Sequence, residues 1–207
     1  MALEFLKRIF NPNKVEIELN EIQALILRSR PIPYFGTVAI IEIKDAVAAR
    51  QMLQKLLPIV SSAEEWHKNE GASVTLTFTY KGLEKIGVPQ ESLDTFPESF
   101  KEGMAERSRF LYDIGVNDPK NWEKVFKRSH IHIAAAIIAN NEEAWKSKLE
   151  EFRSKLANNS GVEVIMSHDF AVSEEVKNVF GFRDGISNPE IEGSGIDVPP
   201  GFDRPLK

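Results

Sequence analysis

Hydrophobic and polar residues follow two different periods in the first half of the chain. Thr37–Ile43 is a dense apolar run, which predicts a buried strand. Apolar residues then recur at helical spacing between residues 46 and 60, and Asp45 is available as an N-cap, so a helix is expected there. Ser73–Tyr80 alternates strictly between polar and apolar residues and predicts a second strand. Its apolar face consists of Val74, Leu76, Phe78 and Tyr80.

The second half of the chain repeats this order of elements. Ile131–Ala139 is apolar and continuous enough to form a buried strand. Asn140 and Glu143 resemble a capping box at the start of a long helix, which residues 158–161 end. The apolar stripe of that helix consists of Trp145, Leu149, Phe152 and Leu156. Val162–Phe170 then predicts a fourth strand.

Residues 81–128 are less regular and form a long insertion between the two halves, with a short helix that Gly87 and Pro89 stop. The order is therefore strand, helix, strand, insertion, strand, helix, strand. It predicts an α+β, ferredoxin-like (split βαβ) fold, in which a four-stranded antiparallel sheet is backed by two main helices. We expect a ferredoxin-like N-terminal domain over residues 1–170 and the start of a second, apparently missing ferredoxin-like domain over residues 171–207.

The densest cluster of unusual residues lies in the glycine- and proline-rich tail. Gly181 and Gly185 bracket Arg183 and Asp184, and a Ser-Asn-Pro turn follows. Glycine lets the backbone approach a flat ligand closely or take a positive φ, so Asp184 would sit on a fixed loop where it can exchange protons with a bound group. The alternative is purely structural, because Asp-Gly is a common turn that the following Ser or Asn side chain can close.

Composition and charge narrow the function classes. The 207 residues are 42% hydrophobic and 28% charged, which is globular and excludes a disordered chain. The net charge of −5 repels phosphate backbones, so no nucleic-acid partner is expected. The absence of cysteine excludes disulfides, thiolate metal sites and cysteine nucleophiles. No apolar run approaches the ~18 residues of a membrane span, so the cytoplasm is the expected location.

The tail motif and several other stretches resemble one known family. Gly181–Pro189 resembles the GxxDG haem-pocket loop of dye-decolourising (DyP-type) peroxidases. Glu21–Leu27 is similar to the opening segment of that family, and Phe78–Leu83 to its second strand and the turn after it. Gly103-Met104 recurs in the family's insertion. The likeness covers nearly the whole chain in the family's order.

The resemblance implies a specific chemistry. Enzymes of this family use haem b to react with hydrogen peroxide and oxidise dyes and other organic electron donors. The acid that matches Asp184 moves a proton between the two oxygens of the peroxide, which is general acid–base catalysis. The resemblance places Gly185, Ile186, Ser187 and Asn188 at the distal side of the haem. Arg183 occupies a variable position of the motif and receives no role.

The sequence also departs from the family. The family's axial histidine and distal arginine both lie well downstream of the GxxDG loop, whereas this sequence ends at Lys207. Its histidines are His67, His130, His132 and His168, all of which precede the motif. Because haem iron requires an axial ligand, we expect an N-terminal portion of a peroxidase that does not bind haem by itself and is inactive alone.

The histidines offer no second cofactor site. His130 and His132 are two residues apart, so a strand would place both on the same side, but no third metal ligand is obvious. Hydrogen bonding at the end of a strand is favoured over metal binding, and no metal ligand is assigned. His168 and Asp169 are interpreted as a structural pair near a turn.

Two other functions deserve comparison with the peroxidase. A non-catalytic ferredoxin-like module derived from the family would bind a partner or dimerise. An exposed apolar sheet face would favour self-association, so a homo-oligomer is expected. An RNA-binding module with the same order of elements needs aromatic residues on its central strands, and Thr37–Ile43 and Ile131–Ala139 contain none.

Overall fold

The computed structural model describes residues 17–27, 33–64, 71–127, 130–172 and 180–182, together with Ile191 and Ser194. The strands are β1 (Tyr34–Ile43), β2 (Ala72–Phe78), β3 (Ile133–Ala139) and β4 (Val162–Val172). The α-helices are α1 (Ala24–Leu27), α2 (Ala46–Leu56), α3 (Tyr80–Ile86), α4 (Gln90–Asp94), α5 (Glu98–Glu106) and α6 (Glu142–Leu156). Short 3-10 turns occupy Leu19–Glu21, Leu57–Ile59, Gly115–Asn117 and Pro119–Asn121.

The four strands form one antiparallel sheet in the order β2-β3-β1-β4. Ala39 of β1 lies opposite Ala135 of β3 on one side and Ser167 of β4 on the other. The predicted α+β, ferredoxin-like fold is confirmed, and all four expected strands belong to this sheet. A bulge in the β1–β4 pairing leaves Ile165 without a partner, because Ile40 pairs with Met166 while its neighbour already pairs with Val164.

One face of the sheet carries the hydrophobic core, because α2 and α6 both cover it. The fully buried side chains include Ile41, Ile43, Met52, Leu56, Val74, Ile133, Ile137 and Phe152. The strand residues of this set alternate with residues of the opposite face, as the sequence pattern predicts. The side-chain carboxylate of Asp45 accepts a hydrogen bond of 2.8 Å from the Ala48 amide and confirms the predicted cap of α2.

Several predicted boundaries are wrong by a few residues, and local caps explain two of them. Tyr80 is not the last residue of a strand but the first residue of α3, because the Thr79 hydroxyl accepts a hydrogen bond of 3.0 Å from the Gly82 amide and starts a helix. Asn141, not Asn140, caps α6, with its side-chain oxygen 2.8 Å from the Ala144 amide. In both places a local cap competes with the apolar pattern and decides the boundary.

The insertion between β2 and β3 begins with helices and ends in irregular chain. α3 stops at Gly87, whose φ of 86° closes the helix as expected from the sequence. α5 is divided at Gly103, where φ is 75°. Residues 107–127, which we call the insertion loop, follow with turns and 3-10 segments.

Candidate functional site

We call the sheet face turned away from α2 and α6 the far face. The strand β4, which contributes to this face, precedes the tail motif in the sequence. The far face includes residues of all four strands: Gly36, Val38, Ile40, Ser73, Thr75, Thr77, Ala134, Ala136, Ile138, Met166, His168 and Phe170. β3 contributes small residues to its middle, and β2 contributes three hydroxyl side chains. Ile40, Ser73 and Ile138 are buried, whereas the His168 imidazole is exposed.

An aromatic pair closes the end of the far face that is nearest the tail. The ring of Phe170 lies directly over Gly36, and a Cβ at that position would overlap it. Tyr34 packs against Phe170 edge to face, with 6.0 Å between the ring centroids. Glycine at position 36 is required here by this close approach.

On the helix side of the same strands, a polar chain connects β1, β4 and α6. The buried Thr37 hydroxyl donates to the Asp169 carboxylate at 2.7 Å and accepts from the Trp145 indole N–H at 2.9 Å. Phe35 stacks on the same indole, with ring centroids 6.4 Å apart. These two hydrogen bonds tie β1 to β4 and to α6, and β4 is the strand that precedes the motif in the sequence.

The interpretation of His168 and Asp169 as a pair near a turn is wrong. Both residues lie inside β4, opposite Val38 and Thr37 respectively, and they point to opposite faces of the sheet. Asp169 accepts the hydrogen bond from Thr37 on the helix side, His168 lies on the far face, and both side chains are exposed. Adjacent residues of a strand point to opposite faces, and the bulge at Ile165 decides which of these two faces the helices.

His132 is a buried structural residue at the start of β3. Its Nδ1 accepts a hydrogen bond of 2.8 Å from the Ile43 amide, while its own amide donates to the Ile41 carbonyl at 3.1 Å. Burial lowers the pKa of the imidazole, and the nearby Glu42 carboxylate opposes part of that shift. The favoured interpretation of strand-end hydrogen bonding is confirmed for this histidine.

Charged side chains cluster at the same end of the sheet. Lys44 contacts the Glu42 carboxylate at 2.8 Å and the Glu163 carboxylate at 3.0 Å. The hydrogen bond from Lys44 holds the pKa of Glu42 below its ordinary value, and Glu42 in turn raises the pKa of Lys44. Sequence reasoning missed this cluster, because only the pairing of β1 with β4 brings Glu163 to Lys44.

The described histidines do not assemble into a metal site. The rings of His130 and His132 lie 6.4 Å apart, centroid to centroid, at a steep mutual angle. Within the part of the chain that the structure describes, no group of three histidine, aspartate or glutamate side chains has the arrangement of a metal site. His67 lies outside the described residues.

The residues that enter the tail motif present aromatic rings to solvent. Phe180 and Phe182 are 81% and 71% exposed, and they flank Gly181, which has a φ of 82°. Among the residues that the structure describes, nothing lies within 4 Å of the position where a Cβ of Gly181 would stand. The backbone here takes the left-handed conformation that favours glycine.

The remaining residues predicted to form the site are Asp184, Gly185, Ile186, Ser187 and Asn188, and they all lie outside the described residues. Their placement is not tested by the structure, and their roles stay predictions. A separate groove of about 390 Å³ lies between α6 and β4 on the helix side. It is lined mainly by core side chains such as Leu149 and Phe152, with Arg153 beside them.

None of the helices in the described ranges has the length and apolar character needed to cross a membrane.

Comparisons with known proteins point to one family. The family model described as "DyP dimeric alpha+beta barrel domain" matches residues 21–171. The chain is 24% identical over 194 residues to "Peroxidase 2" of Mycetinis scorodonius, covering 89% of this chain and 36% of that protein. It is 25% identical over 164 residues to "Dye-decolorizing peroxidase" of Mycena epipterygia, covering 77% of this chain and 30% of that protein. The chain thus spans about a third of the length of these relatives.

Solved structures show the same fold. A dye-decolorizing peroxidase from Pleurotus ostreatus superposes with a TM-score of 0.77 at 21% identity, over 93% of this chain and 44% of that one. An ancestral D-type dye decolorizing peroxidase gives a TM-score of 0.73 at 24% identity, over 86% of this chain and 41% of that one. Because both identities are below 25%, this likeness shows a shared fold and nothing more specific.

Proposed function

Because the chain belongs to the dye-decolourising peroxidase family, we propose that it is the N-terminal, motif-bearing portion of a haem peroxidase. The complete enzyme would use hydrogen peroxide to oxidise dyes and other organic donors. The observation that carries this proposal is the family match over residues 21–171, which ends shortly before the Gly181-x-x-Asp184-Gly185 motif.

Residues 180–182, which begin the motif, suit contact with a flat apolar cofactor. Phe180 and Phe182 expose their rings on either side of Gly181, and no described residue lies within 4 Å of the position of a Cβ there. An aromatic surface of this kind suits contact with a porphyrin. Gly185, Ile186, Ser187 and Asn188 would extend the contact along the distal side of haem b. When bound, haem supplies the redox chemistry with hydrogen peroxide.

Asp184 would act as the proton-transfer residue. A carboxylate held on a glycine-bracketed loop can accept a proton from one peroxide oxygen and deliver it to the other, as a general acid–base catalyst. The chain would also position this loop, because Thr37 hydrogen-bonds both Asp169 and Trp145 and so ties β4, the strand that precedes the loop, to β1 and α6. Residues 1–170 would form the domain that holds the loop, and residues 171–207 would begin the second domain.

The first test uses the chain itself. Haem added to the purified protein should give no stoichiometric Soret band and no substantial dye oxidation with hydrogen peroxide, because no axial ligand is assigned among its histidines. A sharp one-to-one Soret titration with a histidine-ligated spectrum would contradict this expectation. His67, His130, His132 and His168 would then be replaced in turn to find the ligand.

The second test uses a full-length protein that continues past Lys207. Asp184→Asn should slow peroxide-dependent dye oxidation by about 100-fold or more while the haem content stays unchanged. Asp197→Asn, a matched change in the same tail, is the control and should keep its activity. If the Asp184→Asn protein were as active as the wild type, the proposed proton-transfer role of Asp184 would be wrong.

A non-catalytic binding or dimerisation module is the second candidate function. The large apolar side chains that the insertion loop exposes favour it, because such surfaces mark interaction sites. It differs from the first proposal in requiring neither haem nor Asp184. In either case we expect the protein to act in the cytoplasm.

A further inference from the structure

The helix side of β4 is left partly uncovered, because β4 is an edge strand of the sheet. Val164 of β4 pairs with Ile41 of β1 and faces the same side of the sheet, yet it is 44% exposed, whereas Ile41 is fully buried. The groove of about 390 Å³ lies at this place, between β4 and α6. Its volume is at the small end of the range for small-molecule pockets, which is about 300 to 1,000 Å³.

The bulge at Ile165 shapes the wall that β4 contributes to the groove. Val164 pairs with Ile41 and Ser167 pairs with Ala39, so two residues that are three positions apart both face the helix side. In a regular strand, residues three positions apart face opposite sides of the sheet. The bulge therefore adds the Ser167 hydroxyl to a wall that is otherwise apolar.

The deepest part of the groove is apolar and is held in place by the core. Ala39, Leu149 and Phe152 line it and are themselves buried in the hydrophobic core. Leu156 of α6 and Val162 of β4 line it as well and pack against that core. An apolar ligand would therefore contact side chains that are already ordered, so little conformational entropy is lost when it binds.

Among the described residues that line the groove, Arg153 of α6 alone carries a charge. Two other basic side chains of α6 are paired, since Lys146 contacts Glu142 at 2.6 Å and Lys148 contacts Glu151 at 2.7 Å. Within the described ranges, no carboxylate lies at salt-bridge distance from Arg153. A guanidinium matches the two oxygens of a carboxylate, so this side chain is available to an anionic ligand.

We propose that the groove between α6 and β4 binds a small amphipathic carboxylate, with an apolar body of about 10 to 15 non-hydrogen atoms. The Arg153 guanidinium binds the carboxylate, and the apolar body lies against Leu149 and Phe152. The Ser167 hydroxyl offers a hydrogen bond to a further polar substituent. The proposal does not depend on haem or on the activity proposed above.

Titration of the purified 207-residue chain with naphthalene-2-carboxylate, followed by the NMR shifts of its backbone amides, tests the proposal. The wild type should bind with a Kd of about 0.1 to 1 mM, and the shifts should concentrate in α6 and β4. Arg153→Gln should raise this Kd by at least about tenfold, because it removes the charge that faces the carboxylate. Naphthalene-2-carboxamide, which has the same shape and no charge, should bind both proteins equally.

Arg109→Gln is the matched control, because Arg109 is also exposed but lies in the insertion loop, and it should leave the Kd unchanged. Absence of saturable binding up to about 5 mM overturns the proposal, and so do equal Kd values for the carboxylate in the wild type and Arg153→Gln. Shifts that concentrate outside α6 and β4 overturn it as well. Loss of binding in a protein that continues past Lys207 also overturns it, because later residues would then fill the groove.

Discussion

The sheet with its two covering helices and the insertion loop are both ordered, but different interactions order them. In the sheet, β1 pairs with β3 and β4 across long sequence distances, and apolar side chains of α2 and α6 fill one face. In the insertion loop, hydrogen bonds join residues a few positions apart, and large apolar side chains such as Phe110 and Tyr112 are exposed. The comparison shows that backbone order and apolar burial are separable within one chain.

This difference predicts where the free energy of folding resides. Burial of apolar surface is the dominant favourable contribution to folding, so the sheet and its helices should carry most of the stability. The insertion loop should contribute little to it, because its apolar side chains remain in water. Its residues are then free to serve binding rather than stability.

The largest effect is expected from the core. Phe152 of α6 is 1% exposed, and Phe152→Ala should lower the free energy of unfolding by about 3 to 5 kcal/mol through lost burial and the cavity left behind. Urea unfolding followed by circular dichroism measures this change. It should be done at a concentration at which the chain is monomeric.

Phe110→Ala is the matched control for that change, because it removes the same side chain from the insertion loop. Its effect on the free energy of unfolding should stay within about 0.5 kcal/mol. If the two variants lost similar stability, the division between a stabilising core and a solvent-facing loop would be wrong.

An intermediate effect is expected from acidification at His132. The neutral imidazole of His132 accepts a hydrogen bond from the Ile43 amide. Burial lowers the pKa of this imidazole below the ordinary value near 6.5. The unfolded chain therefore binds a proton at a higher pH than the folded chain. The contribution to stability is complete above about pH 6.5 and is lost as the pH falls from there toward the folded pKa.

The charged groups that face His132 act in both directions. Glu42 of β1 raises its pKa, whereas Lys85 of α3, His130 and Lys44 lower it. Unfolding free energies measured between about pH 8 and about pH 5 should fall less steeply in His132→Gln than in the wild type. His168→Gln, a change on the exposed far face, is the control. An unchanged pH slope in the His132→Gln protein would contradict the burial argument.

The smallest effect is expected from backbone strain in the insertion loop. At Tyr112, where φ is 62°, a glycine adopts the left-handed conformation freely and an alanine does not. Tyr112→Gly should therefore be more stable than Tyr112→Ala by about 1 kcal/mol. Urea midpoints of the two proteins, measured side by side, decide the point. Equal midpoints would show that the loop relaxes to avoid the strain.

Much of the fold followed from the hydrophobic pattern, since both strand–helix–strand units and the antiparallel sheet were predicted correctly. The errors lie at boundaries. Thr79 begins a helix where strict alternation indicated that the strand continues to Tyr80, and Asn141 caps α6 in place of Asn140. Such boundaries are determined by a side-chain oxygen that accepts a hydrogen bond from a backbone amide. Two adjacent residues that could both act as caps look equivalent in the sequence.

The candidate site was less predictable than the fold. The sequence identified the motif from Gly181 to Pro189 through its glycine spacing and family resemblance. It gave no sign that Thr37 hydrogen-bonds both Trp145 and Asp169, because these partners lie 108 and 132 residues away along the chain and only the tertiary structure brings them to Thr37. It also treated His168 and Asp169 as one pair, whereas the strand directs them to opposite faces.

The sequence by itself determined the order of elements, the positions that face the core and the family, because periodicity and short motifs are properties of neighbouring residues. The tertiary structure alone decided the bulge at Ile165, the close contact of Phe170 with Gly36 and the exposure of the insertion loop. Those features depend on which distant residues meet, and the periodicity of side chains along one strand carries no information about its partner. The same apolar residue types occur in the buried stripe of α6 and in the exposed insertion loop, so only packing distinguishes a core from an interaction surface.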